Sequence, residues 1–191
     1  MLVNNLIRII LLISISPLLM ADEYNKVLYI IITLALTFYD FLVKKILKIN
    51  LSNTLKYSIL FLIVTTEFLG STLDFYGKFY WWDTFVHGIS GTINFFIGFE
   101  FINKFNERLS RPEIHPAIQV IFAICFSIAI LGLWEIAEFI IDEVTGLNMQ
   151  ITQGLVGQDA IWDTIEDMIS ATIGTIVGTI IQCFKLRKKE N

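Results

Sequence analysis

A helix needs about 20 mostly apolar residues to cross the hydrocarbon core of a bilayer. This chain offers six candidate stretches of that kind, at 6–21, 26–44, 55–76, 82–103, 117–142 and 160–184. Nothing constrains the fold more. Backbone polar groups in lipid must be satisfied within the spanning segment, so runs of this length read as helices. The expected fold class is all-α: a polytopic transmembrane bundle of six helices, forming one integral membrane domain over 1–191. Composition agrees: 55% of residues are hydrophobic, 17% are charged and mean hydropathy is +0.68. Soluble domains carry about 25% charged residues. A net charge of −4 argues against a nucleic-acid partner. Cys125 and Cys183 sit alone in apolar stretches and read as small packing residues.

The first stretch is the weakest. It is short, carries Arg8 and ends at Ala21 before Asp22 and Glu23. A basic start, an apolar run and a small residue also describe a signal peptide. Leu19 fits poorly three residues before a cleavage site, which favours a retained helix.

Lys and Arg in short loops set orientation. Lys44, Lys45, Lys48 and Lys56 fall in one connection, and Lys104, Arg108 and Arg111 in another. Lys185, Arg187, Lys188 and Lys189 lie at the C-terminal end. With Arg8, these alternate regions share one side, and only Lys26 and Lys78 fall on the other. Both ends are therefore expected in the cytoplasm. Trp81, Trp82, Trp134 and Trp162 cluster near the opposite boundary, where an aromatic belt is expected. The longest connection, 143–159, has no Lys or Arg and carries Gly146, Gly154 and Gly157. Its apolar residues suggest that it lies against the membrane or dips over the bundle. Ser170, Gly174 and Gly178 form a small-residue face for helix packing.

The acidic residues carry the functional signal. Glu67 and Asp74 are seven apart, and Asp83 and His87 are four apart. Glu135, Glu138 and Asp142 succeed them at spacings of three and four, and Asp163 and Asp167 are four apart beside Glu166. Residues three, four and seven apart share a helix face. Four helices thus turn acidic faces inward at similar depth. A charged side chain at a helix centre costs about 2.5–3.5 kcal/mol on insertion scales, and such residues are usually functional. No Lys or Arg lies in these segments to neutralise them. Shared protons or a bound metal remain. Carboxylates with one imidazole suit Mg, Mn, Ca, Fe or Zn. The candidate metal ligands are Asp83, His87, Glu135, Glu138, Asp163 and Asp167, and the candidate catalytic bases are Glu67 and Glu138. A structural alternative stands beside this: acids at helix ends simply meet water. It applies most to Glu143 and Asp159, and evenly to Asp74, Asp142 and Glu166. Asp40 and Glu100 fall off the cluster, and His115 reads as a solvated loop residue.

The segments Trp81-Trp82-Asp83-Thr84-Phe85-Val86-His87-Gly88, Trp134-Glu135-Ile136-Ala137-Glu138-Phe139 and Asp163-Thr164-Ile165-Glu166-Asp167-Met168 resemble the YjdF-type family of bacterial inner-membrane proteins. The resemblance spans about two-thirds of the chain and implies location in the bacterial cytoplasmic membrane without an activity. A more distant likeness is to VanZ-like membrane proteins, which are linked to glycopeptide resistance and also pair an Asp-x-x-x-His helix start with later acidic helices. The chain departs from them at Asp167, where Asn is common, and in its Glu135–Glu138 pair.

Three functions are expected from these features. One is a metal-dependent membrane hydrolase acting on a lipid or lipid-linked cell-envelope substrate, with 143–159 as a lid. Another is a non-enzymatic binding or regulatory protein. The third is a cation or proton-coupled transporter, which the crowding of acids into one half of the membrane disfavours.

Overall fold

The computed structural model describes residues 2–109, 112, 114–146, 149–150 and 158–190. Among these the chain is helical, with no strand. The elements are α1 (Leu2–Met20), α2 (Tyr24–Leu36), α3 (Tyr39–Ile46), α4 (Asn53–Ile63), a π-helical segment (Val64–Thr72), α5 (Phe75–Lys78), α6 (Trp82–Arg108), α7 (Pro116–Thr145) and α8 (Gln158–Glu190). Four helices are long and apolar enough to cross a membrane, within Val3–Met20, Trp82–Arg108, Pro116–Thr145 and Ile161–Lys188. A fifth span is counted if α2 and α3 cross together, bent by 42° at their break. The stretch expected as one helix over 55–76 is instead α4 continued by the π-helical segment. Ile13 and Phe184 are 68% and 65% exposed, as lipid-facing residues are.

The chain divides into two compact units, Met1–Trp82 and Asp83–Asn191. In the first, α2 packs on α1 and on the π-helical segment. Arg8 of α1 reaches the α2–α3 break. Its Nε donates to Thr37 Oγ1 and its Nη2 to the Thr37 carbonyl, both at 2.9 Å, and the guanidinium stacks 3.8 Å from the Phe38 ring centre. A broken helix in lipid exposes carbonyls that need partners, and Arg8 supplies them. At the start of α3, the Lys56 ammonium pairs with Asp40 at 3.1 Å, and the Tyr39 hydroxyl donates to the Lys56 carbonyl.

The π-helical segment, Val64-Thr65-Thr66-Glu67-Phe68-Leu69-Gly70-Ser71-Thr72, is rich in hydroxyls. These hydroxyls bond back to the chain: Thr65 to the Phe61 carbonyl at 2.8 Å and Thr72 to that of Glu67 at 3.2 Å. Competing side-chain bonds of this kind loosen the ordinary α ladder.

In the second unit α6, α7 and α8 pack through small residues. A Cβ added to Gly91 would lie 2.8 Å from the Ala171 carbonyl carbon, and one added to Gly174 would lie 2.9 Å from that of Gly88. Only glycine permits backbones this close. Hydroxyls bond across the same seam: Thr92 donates to the Gly174 carbonyl at 2.8 Å, and Ser170 to that of Thr84 at 2.6 Å. From α7, the buried Ser127 donates to the Gly91 carbonyl at 3.0 Å and lies 2.7 Å from the Thr175 hydroxyl. His115 Nδ1 accepts from the Ala117 amide at 3.3 Å and caps α7, with Pro116 at its first position. Gly146 ends that helix with φ +71°, a left-handed conformation suited to glycine.

Candidate metal centre

Three helices of the second unit deliver the site. Asp83 and His87 lie in the first two turns of α6, Glu135 and Glu138 toward the end of α7, and Asp163 and Asp167 near the start of α8. Spacings of three and four put each pair on the face turned to its neighbours. The Gly91–Ala171 contact one turn further along α6 and α8 fixes their approach. The His87 imidazole lies at the centre. Its Nε2 is 3.5 Å from Asp83 Oδ1 and 3.8 Å from Asp167 Oδ2, and its Nδ1 is 3.7 Å from Glu135 Oε1. Glu138 completes a second group with His87 and Glu135.

These separations are too long for hydrogen bonds, which run near 2.9 Å. They match the spacing of donors that share a cation. Two bonds of about 2.0–2.4 Å meeting at a right angle or wider hold their donors about 3–4 Å apart. His87, Glu135 and Asp167 are 5%, 6% and 2% exposed. In each, a buried polar atom has no hydrogen-bond partner: His87 Nδ1, Glu135 Oε2 and Asp167 Oδ2. Buried groups left in this way cost about 1–3 kcal/mol each, more when charged. Three residues in one cluster, each with such an atom, fit a group that supplies the missing bonds. One imidazole among carboxylates, with no thiolate, suits Mn, Fe, Zn, Mg or Ca.

Asp163 is half-buried and lies near enough to repel Asp83, Glu135, Glu138 and Asp167, yet it joins neither compact group of possible ligands. Glu166 is exposed and accepts from the Thr84 hydroxyl at 3.2 Å. Asp142, expected on the stripe of Glu135 and Glu138, does other work. Its two oxygens accept from the backbone amides of Met149 and Gln150 at 2.8 and 3.0 Å. Gln150 in turn donates to the Thr164 hydroxyl at 3.0 Å and ties the chain after α7 to α8. The rest of the connection expected to act as a lid, 151–157, and residues 147–148 lie outside the described residues. Glu67 is half-buried in the π-helical segment of the other unit. The shared face expected for Glu67 and Asp74 does not form, because the intervening helix is π-helical and Asp74 itself has φ +59°.

Some contributors carry weaker signals in the sequence. Trp134 reads there as an interfacial anchor. It is 47% exposed, as an anchor is, but its Nε1 also donates to Glu138 Oε1 at 2.7 Å. The four-residue spacing is the available clue. Ser127, one of few polar residues in the apolar length of α7, has no motif around it and proves fully buried.

Together these helices define a polytopic membrane protein with a buried carboxylate–imidazole centre at one end of a three-helix unit. The chain belongs to the family of predicted membrane proteins designated DUF2238, whose model matches residues 3–188. No curated protein and no solved structure matches it.

Proposed function

We propose that this protein is a divalent-cation-dependent membrane enzyme that hydrolyses an ester or phosphoester bond of a lipid or lipid-linked substrate. The observation that carries the reading is the gathering of carboxylates around the buried His87 imidazole, with partnerless buried atoms on His87, Glu135 and Asp167. Bound there, a divalent cation would polarise a phosphoryl or carbonyl oxygen and activate water. The chain's own groups would do the rest. His87, Glu135, Glu138, Asp83 and Asp167 hold the charge in place. Asp163, outside both ligand groups, would be the carboxylate free to accept a proton from water. Trp134 fixes one oxygen of Glu138, which makes Glu138 a ligand and not the base on this reading. Glu67 remains the second acid that the sequence singles out. Trp134 and Trp162, 47% and 61% exposed, mark headgroup depth beside the centre. A scissile bond at a lipid headgroup would lie at that level.

The proposed topology has six crossings with both ends in the cytoplasm of a bacterial cell. It counts α2 with α3 as one span and α4 with the π-helical segment as another. The distribution of Lys and Arg supports it. Reporter fusions after Lys48, Lys78 and the C-terminal residue should read inside, outside and inside.

The carrier reading gains little from the structure. Ser127, Thr92 and Thr175 lie deeper than the centre, but their hydroxyls bond to backbone carbonyls and to each other. They hold helices together.

Metal analysis of the detergent-purified chain comes first. Turnover of phospholipid and polyprenyl-pyrophosphate micelles is measured next, with and without chelator. Chelator-sensitive hydrolysis lost in Asp167→Asn is expected. Bound metal without turnover of any substrate would leave a binding protein, and absence of metal after soaking would leave a proton-sharing cluster.

A further inference from the structure

The geometry points to two cation positions, one on each side of the His87 ring, and not to one. This rests on the cation site proposed above. The possible ligands fall into two groups that meet only at His87: Asp83, His87 and Asp167, and His87, Glu135 and Glu138. They approach opposite ring nitrogens, the first Nε2 and the second Nδ1. The two nitrogens point away from each other, so a single ion cannot face both. Each side also keeps its own partnerless buried carboxylate oxygen, Asp167 Oδ2 on one and Glu135 Oε2 on the other.

Charge argues the same way. Asp83, Glu135, Glu138, Asp163 and Asp167 are close enough to repel one another. The segments 83–103 and 117–184 contain no Lys or Arg. One divalent ion balances two carboxylates and leaves three; two ions nearly balance the set.

The positions are unequal. A neutral imidazole has one lone pair and one N–H. Nδ1 is buried and partnerless, so we place the lone pair there, on the side of Glu135 and Glu138, with the Nε2 hydrogen toward Asp83 and Asp167. That position combines nitrogen with oxygen, which suits zinc, iron or manganese. The other has only the oxygens of Asp83 and Asp167, with water to complete the shell, and suits manganese, magnesium or calcium. It should bind more weakly.

The test is equilibrium dialysis of the full-length detergent-purified chain against Mn²⁺, with electron paramagnetic resonance of the loaded protein. Two ions per chain with a spin-coupled spectrum are expected. Glu135→Gln should keep only the weak ion and Asp167→Asn only the tight one, with circular dichroism and size exclusion confirming the fold. One ion in the unmodified chain, abolished by either substitution, would overturn the second position and leave the single-cation reading intact. No ion at all would overturn both. The count in the unmodified chain decides even where a variant fails to fold.

Discussion

The most informative perturbation lies away from the centre, at Gly91→Ala. The added methyl would stand 2.8 Å from the Ala171 carbonyl carbon. Carbon atoms pack best at about 3.5–4.0 Å and the Ala171 carbonyl oxygen lies closer still, so α6 and α8 must part by at least about 1 Å. Overpacking of this kind costs about 1–3 kcal/mol. The effect on the centre is set by the helix rise. Gly91 lies four residues from His87, and Ala171 four from Asp167, about 6 Å along each axis. Parting the helices there widens the 3.8 Å gap between His87 Nε2 and Asp167 Oδ2 to nearly 5 Å. The same motion carries Asp167 of α8 away from Asp83 of α6, and ligand bonds of about 2.0–2.4 Å do not survive a retreat of about 1 Å. The substitution should lower the thermal midpoint in detergent and weaken cation binding on the Asp83–Asp167 side, without touching a ligand. Gly132→Ala is the control. Nothing lies within 4 Å of a Cβ there, and alanine in a helix gains up to about 1 kcal/mol over glycine. Its midpoint should hold or rise. If Gly91→Ala matched Gly132→Ala in both midpoint and binding, the coupling of helix contact to centre would be wrong.

Other substitutions probe separate contacts. Trp134→Phe removes the donor that orients Glu138, and losses of such outer-shell bonds lower metal affinity about 10–100-fold; isothermal titration reads this. Ser127→Ala removes one buried hydrogen bond while Thr175 keeps its bonds to the Ala171 and Gly91 carbonyls, and should cost about 0.5–1.5 kcal/mol in unfolding experiments. Arg8→Met removes the donors to Thr37. It should ease insertion of α1 yet destabilise the folded first unit, seen as faster proteolysis after α1. Asp142→Ala should speed hydrogen exchange at the Met149 and Gln150 amides while cation binding persists.

Much of the centre is legible in the sequence because its logic is local. Asp83 with His87, Glu135 with Glu138, and Asp163 with Asp167 share faces by spacing alone, and the lack of neutralising Lys or Arg makes convergence the sensible expectation. Asp142 obeys the same spacing but lies so near the end of α7 that the turning chain offers it amides instead. The break at Thr37 cannot be read from residues 26–44, which contain no Pro or Gly. It is stabilised by Arg8, 29 positions away. The small-residue face of α8 is visible in Ser170, Gly174 and Gly178, whereas its complement at Gly88 and Gly91 shows its role only beside Ala171 and Gly174.

The π-helical segment has a consequence for how this chain tolerates changes in length. A π turn holds about one residue more than an α turn. Val64–Thr72 thus stores a phase offset between α4 on one side and the chain leading to α5 on the other. Removing one residue there would let the segment relax toward an α-helix and absorb the loss locally. The same deletion in the middle of α7 would rotate Glu135 and Glu138 by about 100° relative to Ser127. A scan of single-residue deletions should therefore find a permissive window at the π-helical segment and an intolerant one in α7. Homologues that differ by one residue should carry that difference in the first of these two places.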